Sequence, residues 1–212
     1  MNNPKQVVAD GYDQIAERYR AWAGADLRGP RAHVLAPIWE GVPVGAPVLE
    51  LGCATGEPVT RALAERFSVT GVDLSPRQIE LARQRVPDAT FLCADMTALD
   101  LPREHFAAVV AFYAILHVPR DEHGTLLANI AGWLRLGGLF VATFGTNDDP
   151  GTVEFDWLGV PMYFSGHDAT NGKRLVADAG LEILKAEEIT GEEDGTPVTF
   201  LWVLAQKPRT SP

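Results

Sequence analysis

The stretch Val48-Leu49-Glu50-Leu51-Gly52-Cys53-Ala54-Thr55-Gly56 decides the fold of this 212-residue chain. Pro47–Leu51 is a short apolar run that stops at glycine, the signature of a buried strand ending in a tight turn. Small residues at 52, 54 and 56 let the backbone turn sharply and let a ligand approach it closely. Downstream, the pattern alternates. Glu57–Phe67 reads as a helix with Pro58 in its first turn, where the missing N–H costs nothing. Ser68–Asp73 reads as a second strand. Ser75-Pro76-Arg77-Gln78 has the S-x-x-Q form of a capping box and predicts a helix from Pro76 to about Val86. Strands follow at Ala89–Cys93 and Ala107–Phe112, then a helix over Asp121–Leu134 closed by Gly137-Gly138, then a strand over Leu139–Phe144.

The flanks complete the pattern. Val8, Tyr12, Ile15, Tyr19 and Trp22 recur at steps of four and three, one face of a helix. A further helical stretch near His33–Trp39 interrupts the Gly- and Pro-rich residues 25–45. A last helix near Ala169–Ala179 ends at Gly180. The runs Leu181–Ile189 and Val198–Ala205, joined by a loop with Gly191 and Gly195, read as an antiparallel hairpin. Strands alternating with helices imply a mostly parallel, doubly wound sheet covered on both faces. The expected architecture is one α/β domain with seven strands, a closing C-terminal antiparallel hairpin strand and an N-terminal helical cap.

Composition narrows the function. The net charge is −10, with 46% hydrophobic and 22% charged residues. An acidic surface repels phosphate backbones and anionic lipid, so neither nucleic acid nor membrane is expected as a partner. No apolar stretch approaches the roughly 20 residues of a membrane helix, and Met1 to Asp10 lack a signal-peptide core; the expected location is the cytoplasm. Two cysteines, Cys53 and Cys93, do not make a disulfide framework. The five histidines are scattered without metal-ligand spacing, so no metal site is expected. Of these, His105 and His123 read as solvent-facing.

In open α/β sheets a ligand binds at the carboxyl ends of the strands, where the strand order reverses. Asp73 ends the second strand about 20 residues past the glycine turn, where a carboxylate can accept from both hydroxyls of a ribose. A dinucleotide fits poorly, because Glu57 at the helix start opposes a pyrophosphate. That acid tolerates a cofactor carrying a sulfonium and an ammonium. No G-K-S/T phosphate loop occurs.

The run Val48 to Gly56 resembles motif I of the class I S-adenosylmethionine-dependent methyltransferases. Gly71-Val72-Asp73-Leu74-Ser75 resembles their ribose-binding loop and Cys93-Ala94-Asp95-Met96 the segment that holds adenine. Ala111 to Val118 resembles their fourth-strand segment, and Leu134 to Gly138 the turn before the fifth. Ala54 departs from the pattern, where glycine is commoner. The resemblance implies a Rossmann-like domain that uses S-adenosyl-L-methionine and releases S-adenosyl-L-homocysteine. It implies that Glu50 and the backbone at Gly52, Ala54 and Gly56 face the methionine part. It assigns Asp73 to the ribose, Leu74, Asp95 and Met96 to adenine, and Phe112 and Tyr19 to the methionine portion. On the residues alone, Tyr12 and Tyr19 serve core packing as readily as cofactor contact.

These parts divide the chain into a helical cap (1–45), a cofactor-binding core (46–145), an insertion (146–168) and a last helix with closing hairpin (169–212). The insertion carries Phe155, Trp157, Met162, Tyr163 and Phe164 and is too long and aromatic for a plain loop. It is expected to wall an acceptor pocket with Trp157, Met162, Tyr163 and Phe164, facing Tyr12 and Trp22 of the first helix; a dimer contact or core patch is the alternative. His117, after the fourth strand, is the candidate general base, or else a structural histidine ordering that turn. Asp168 reads as a helix N-cap. The expected activity is methyl transfer to a small, aromatic or polycyclic acceptor by a monomer or homodimer. A non-methylating use of the same cofactor, or a non-catalytic binder, is the rival.

Overall fold

The computed structural model describes residues 3–24, 27, 29–193 and 195–209. Two helices come first: α1 (Pro4–Ala23) and α2 (Pro30–Gly41). Alternation follows with β1 (Pro47–Leu51), α3 (Val59–Ala64), β2 (Ser68–Asp73), α4 (Pro76–Arg85), β3 (Thr90–Cys93), β4 (Phe106–Ala111), α5 (His123–Trp133) and β5 (Leu134–Gly145). Then come β6 (Asp149–Trp157), β7 (Val160–Gly166), α6 (Ala169–Asp178), β8 (Glu182–Glu193) and β9 (Thr196–Gln206).

The main sheet has seven strands in the order β3-β2-β1-β4-β5-β9-β8. Its first five strands are parallel, and β9 runs antiparallel to β5 and to β8. Strand alternation sends side chains to two helical layers. Leu49, Leu51, Val109, Phe140 and Ala142 pack with Leu126, Leu127 and Ile130 of α5 and Val176 of α6. Val48, Ala108, Val110 and Val141 pack with Leu35 and Ile38 of α2 and Leu63 of α3. All six residues of β4 are buried, as a central strand covered on both faces requires. The order reverses between β1 and β4, and their carboxyl ends open the crevice that holds the site.

Local signals set the boundaries. The Ser75 hydroxyl accepts from the Gln78 N–H at 3.0 Å and starts α4. Asp168 accepts from the Asn171 N–H at 2.8 Å and starts α6. Three expectations are corrected. The helix over Glu57–Phe67 shrinks to Val59–Ala64, because the chain first turns at Cys53–Gly56 and the Glu57 side chain is held by Arg20 and Arg61. The helix over Asp121–Leu134 ends at Trp133, and Gly137-Gly138 lie inside β5. Residues 149–166 are not a loop but a hairpin, with β6 and β7 forming a two-stranded sheet of their own. That hairpin lies against α1: Val8 and Ile15 pack on Val160, Met162 and Tyr163. Among the described residues, no helix is long and apolar enough to cross a membrane.

Candidate active site

At the end of β1 the chain folds back over β2. Gly52 and Cys53 N–H both donate to the Val72 carbonyl, at 2.8 and 3.0 Å. Asp73 holds the turn from below: one carboxylate oxygen accepts from the Ala54 N–H at 2.9 Å, the other from the Ser75 N–H at 3.0 Å. Burial raises the Asp73 pKa to about 6, and these N–H donors oppose the rise. Each oxygen accepts further donors beside those two, so the carboxylate can take a vicinal diol. Ala54 sits at φ 47, in the left-handed region where a Cβ costs about 1–2 kcal/mol. Ala54→Gly should therefore stabilise the protein by up to about 1 kcal/mol, the added unfolded-state entropy offsetting part of the relief. A thermal melt checks this; an unchanged or lowered midpoint would mean the turn is not strained.

A cavity opens at this turn beside α1. It is lined by Gly52, Ala54, Asp73, Leu74, Asp95 and Met96, and also by Tyr12, Tyr19, Phe112 and His117. Lys5 of α1 lines it too and reaches Asp95. The Lys5 ammonium lies 2.7 Å from Asp95, 2.6 Å from Glu122 and 2.6 Å from the Thr97 hydroxyl. Burial alone would raise the Asp95 pKa, but the Lys5 and Thr97 hydrogen bonds bring it below the usual range. Asp95 is thus an ionised acceptor that shares the cavity wall with the apolar Leu74 and Met96.

Gln78 also faces the cavity. It is fully buried, and neither atom of its side-chain amide has a protein partner among the described residues. An unsatisfied buried amide costs about 1–3 kcal/mol, so its donor and acceptor fit a polar occupant of this cavity. A buried carboxylate, a second ionised acceptor beside apolar side chains and an orphaned amide together suit an adenosine-type group.

Other residues expected here stand behind the cavity wall. Glu50 is buried beneath the turn and takes the Thr60 hydroxyl at 2.5 Å. Burial lifts its pKa to about 8, so near neutral pH it holds its proton. A group with a raised folded-state pKa stabilises the protein at low pH and loses that contribution as pH rises, here from about 4.5 to about 8. Glu50→Gln should flatten that fall in urea midpoints measured from pH 5 to 9; a parallel fall in both proteins would rule out Glu50 as its source. Gly56 lies away from the cavity: a Cβ there would meet Val86 at 3.0 Å and Ala82 at 3.4 Å, so its role is close helix packing.

A second cavity adjoins the first and shares Tyr12, Tyr19, Tyr113 and His117 with it. Trp22, Trp157, Phe164 and Phe200 make it an aromatic chamber of about 380 Å³, with Arg31, Glu192 and Glu193 also on its wall. Tyr12 and Trp157 have ring centroids 5.8 Å apart, and Trp22 and Trp157 5.9 Å. Arg31 lies over the Tyr113 ring at 4.8 Å. Met162 and Tyr163 line neither cavity. Met162 is fully buried under Gly11 of α1, and Tyr163 projects to the other face of β7, where its ring meets Gly151.

His117 is fixed at both nitrogens. Nδ1 lies 2.8 Å from the Tyr163 carbonyl, which can only accept, so Nδ1 carries the proton. Nε2 then accepts from the Tyr12 hydroxyl, also at 2.8 Å. Burial lowers the His117 pKa to about 4, against the pull of the Tyr163 carbonyl, so the ring is neutral near pH 7. His123, expected at the surface, is instead buried and bonds the Val118 carbonyl at 2.9 Å. Lys5, Gln78, Arg31, Tyr113 and Phe200 were not expected at the site. Only Gln78 had a local signal, and that signal pointed to helix capping.

Residues 48–138 match the profile of a methyltransferase domain family. The chain is 28% identical over 204 residues to a phosphatidylethanolamine N-methyltransferase of Cereibacter sphaeroides, covering 89% of this chain and 96% of that one. It is 31% identical over 158 residues to the 27-O-demethylrifamycin SV methyltransferase of Amycolatopsis mediterranei (strain S699), covering 69% of this chain and 57% of that one. Among solved structures, its fold is similar to magnesium protoporphyrin IX methyltransferase from Synechocystis PCC 6803, with a TM-score of 0.74, 16% identity and 98% of each chain covered. With the strand order and the turn over Asp73, these likenesses mark residues 48–138 as similar to a methyltransferase domain, on a fold whose solved neighbours bind S-adenosylmethionine.

Proposed function

We propose that this protein transfers a methyl group from S-adenosylmethionine to a small-molecule acceptor with an aromatic or polycyclic head. The observation that carries this is the junction of the two cavities at Tyr12, Tyr19, Tyr113 and His117. When bound, S-adenosylmethionine supplies a methyl on a positively charged sulfur, already activated for displacement. What the chain must add is alignment and exclusion of water. Asp73 and Gln78 hold the ribose side, Asp95 with Leu74 and Met96 the adenine side, and the Gly52–Ala54 backbone with Phe112 and Tyr19 the amino-acid side. The aromatic chamber keeps the acceptor dry and presents it to the shared junction.

An acceptor O–H must lose its proton. Tyr12 and His117 both line the junction, the His117 Nε2 lone pair held on the Tyr12 hydroxyl. A proton leaving the acceptor can pass to the Tyr12 oxygen as the Tyr12 proton moves to His117 Nε2; with its pKa lowered to about 4 by burial the ring is a weak base, so this relay assists a transfer driven by alignment. The same reading takes the enzyme as cytoplasmic, and as a monomer or homodimer.

The test pairs binding with turnover. The wild-type protein should bind S-adenosylhomocysteine in a calorimetric titration and pass labelled methyl to members of a panel of phenols and aryl amines. Trp157→Ala should keep that binding within about twofold and lose at least tenfold in turnover, since a packed aromatic anchor is worth more than 1.4 kcal/mol. A folded wild-type protein that binds no S-adenosylhomocysteine would sink the reading. Unchanged turnover in Trp157→Ala would remove the chamber from it.

A further inference from the structure

Beyond the aromatic chamber the site continues. A groove of about 630 Å³ runs outward between the two hairpins, sharing Trp22, Leu116, Trp157, Phe164 and Phe200 with the chamber. It is larger than the chamber, so a head held against Tyr12 has room for a substantial tail. The tail's surroundings differ from the head's in one respect: the chamber sets Arg31 beside Glu192 and Glu193, whereas the groove, which shares Glu193, has no cation on its wall among the described residues. Alternation along β6 turns Thr152, Glu154 and Asp156 to the groove, and β9 faces them with Thr196 and Val198. Thr146, Asn147 and Ser165 add polar groups to its floor.

The chemistry of these walls is one-sided. Among the described residues, no Lys, Arg or His lines the groove. Asp149 spends its carboxylate on the Gly151 N–H at 2.8 Å and the Thr152 hydroxyl at 2.9 Å. The side chains of Glu154, Asp156, Asn147 and Thr196 have no hydrogen bond or ion pair among the described residues. The walls thus offer free carboxylates, a free amide and a free hydroxyl to whatever follows the aromatic head. Carboxylates accept hydrogen bonds and repel anions.

We propose that this groove seats the distal part of the acceptor, and that this part is a hydroxylated ring bearing a protonated amine, as an aminated pyranose does. The proposal rests on the reading of the aromatic chamber as the acceptor site. Hydroxyls of the ring meet Asn147, Thr152 and Thr196, and the ammonium meets Glu154 and Asp156. Acceptors with a carboxylate or phosphate in the tail are turned away by the same two side chains. Head selection by aromatic rings and tail selection by charge are then separate functions of one continuous site.

Three probes share an aryl head and a pyranose and differ in charge: 4-nitrophenyl 2-amino-2-deoxy-glucopyranoside, 4-nitrophenyl glucopyranoside and 4-nitrophenyl glucuronide. Binding is read from the indole N–H resonances of Trp22 and Trp157, and S-adenosylhomocysteine affinity is measured on the same samples. The expected order is amine, neutral sugar, glucuronide, with about tenfold between the ends, as two carboxylates of modest individual effect would give. In a Glu154→Gln, Asp156→Asn double variant that ratio should fall to about twofold, with S-adenosylhomocysteine affinity unchanged. A glucuronide that binds as well as the amine overturns the proposal. So does a ratio the double variant leaves intact, or the absence of any indole shift with all three probes. Failure of S-adenosylhomocysteine binding is a different result, and strikes the methyltransferase reading alone.

Discussion

Asp73→Ala is expected to weaken S-adenosylhomocysteine binding at least 100-fold. The carboxylate is buried, and each of its oxygens already takes one backbone N–H, from Ala54 and from Ser75. On the proposed reading, two ribose hydroxyls complete the set. Hydrogen bonds to a charged group are each worth about 1.5–3 kcal/mol, so losing two costs about 3–6 kcal/mol, beyond the 2.7 kcal/mol of a 100-fold change. The variant also strands the Ala54 and Ser75 N–H groups, so its melting temperature should drop as well. Asp73→Asn separates the two effects. It keeps the shape but turns an amide N–H toward one of those backbone donors, so affinity should fall with a smaller loss of stability. Calorimetric titration at one pH reads both variants. An Asp73→Ala affinity within threefold of wild type would remove the ribose assignment.

Gly52→Ala is expected to be the most damaging single methyl in the site. The backbone there has φ +75, which costs an L-residue about 1–2 kcal/mol. The new Cβ would stand 2.4 Å from the Ala114 Cβ, well inside the roughly 3.5–4.0 Å at which two carbons rest. Either the turn lifts or the segment after β4 shifts, and both line the cofactor cavity. A loss of about 3 kcal/mol, or about 6–12 °C in a domain of this size, should accompany a loss of cofactor binding. Adding Ala114→Gly removes the clash but not the backbone cost, so the double variant should recover about half of the midpoint shift. A single variant melting within 2 °C of wild type would contradict the close approach.

The order of elements was legible because each cofactor-side element carries its own local signal. The apolar run before Gly52, the Ser75 cap and the Asp168 cap all act within a few residues. Asp73 could be placed because it ends a short strand whose position in the sheet follows from the alternation; Asp95, two residues past β3, was placed by the family resemblance of its segment. The acceptor side lacked such signals. Residues 149–157 are exposed along most of their length, so β6 has no in-and-out pattern to betray a strand. Met162 entered the core because the hairpin folds onto α1, a contact between residues about 150 apart that no local pattern encodes. Lys5 reaches Asp95 across 90 residues for the same kind of reason. His123 was read by polarity alone, whereas its position in the first turn of a buried helix gave its ring a carbonyl to bond.

The two-stranded sheet of β6 and β7 has a consequence for how such a protein changes over generations. Its ladder is not part of the seven-stranded sheet, and the β6 residues that line the groove are largely exposed. Substitutions there remove no core packing and break no strand pairing of the main sheet, so their stability cost should stay near the ±0.5 kcal/mol of ordinary surface changes. The turn over Asp73 has no such freedom, because Gly52, Ala54 and Asp73 are tied to one another. With the groove as the proposed acceptor site, acceptor choice can drift among descendants, by mutation of one hairpin face, while the turn over Asp73 is inherited nearly unaltered.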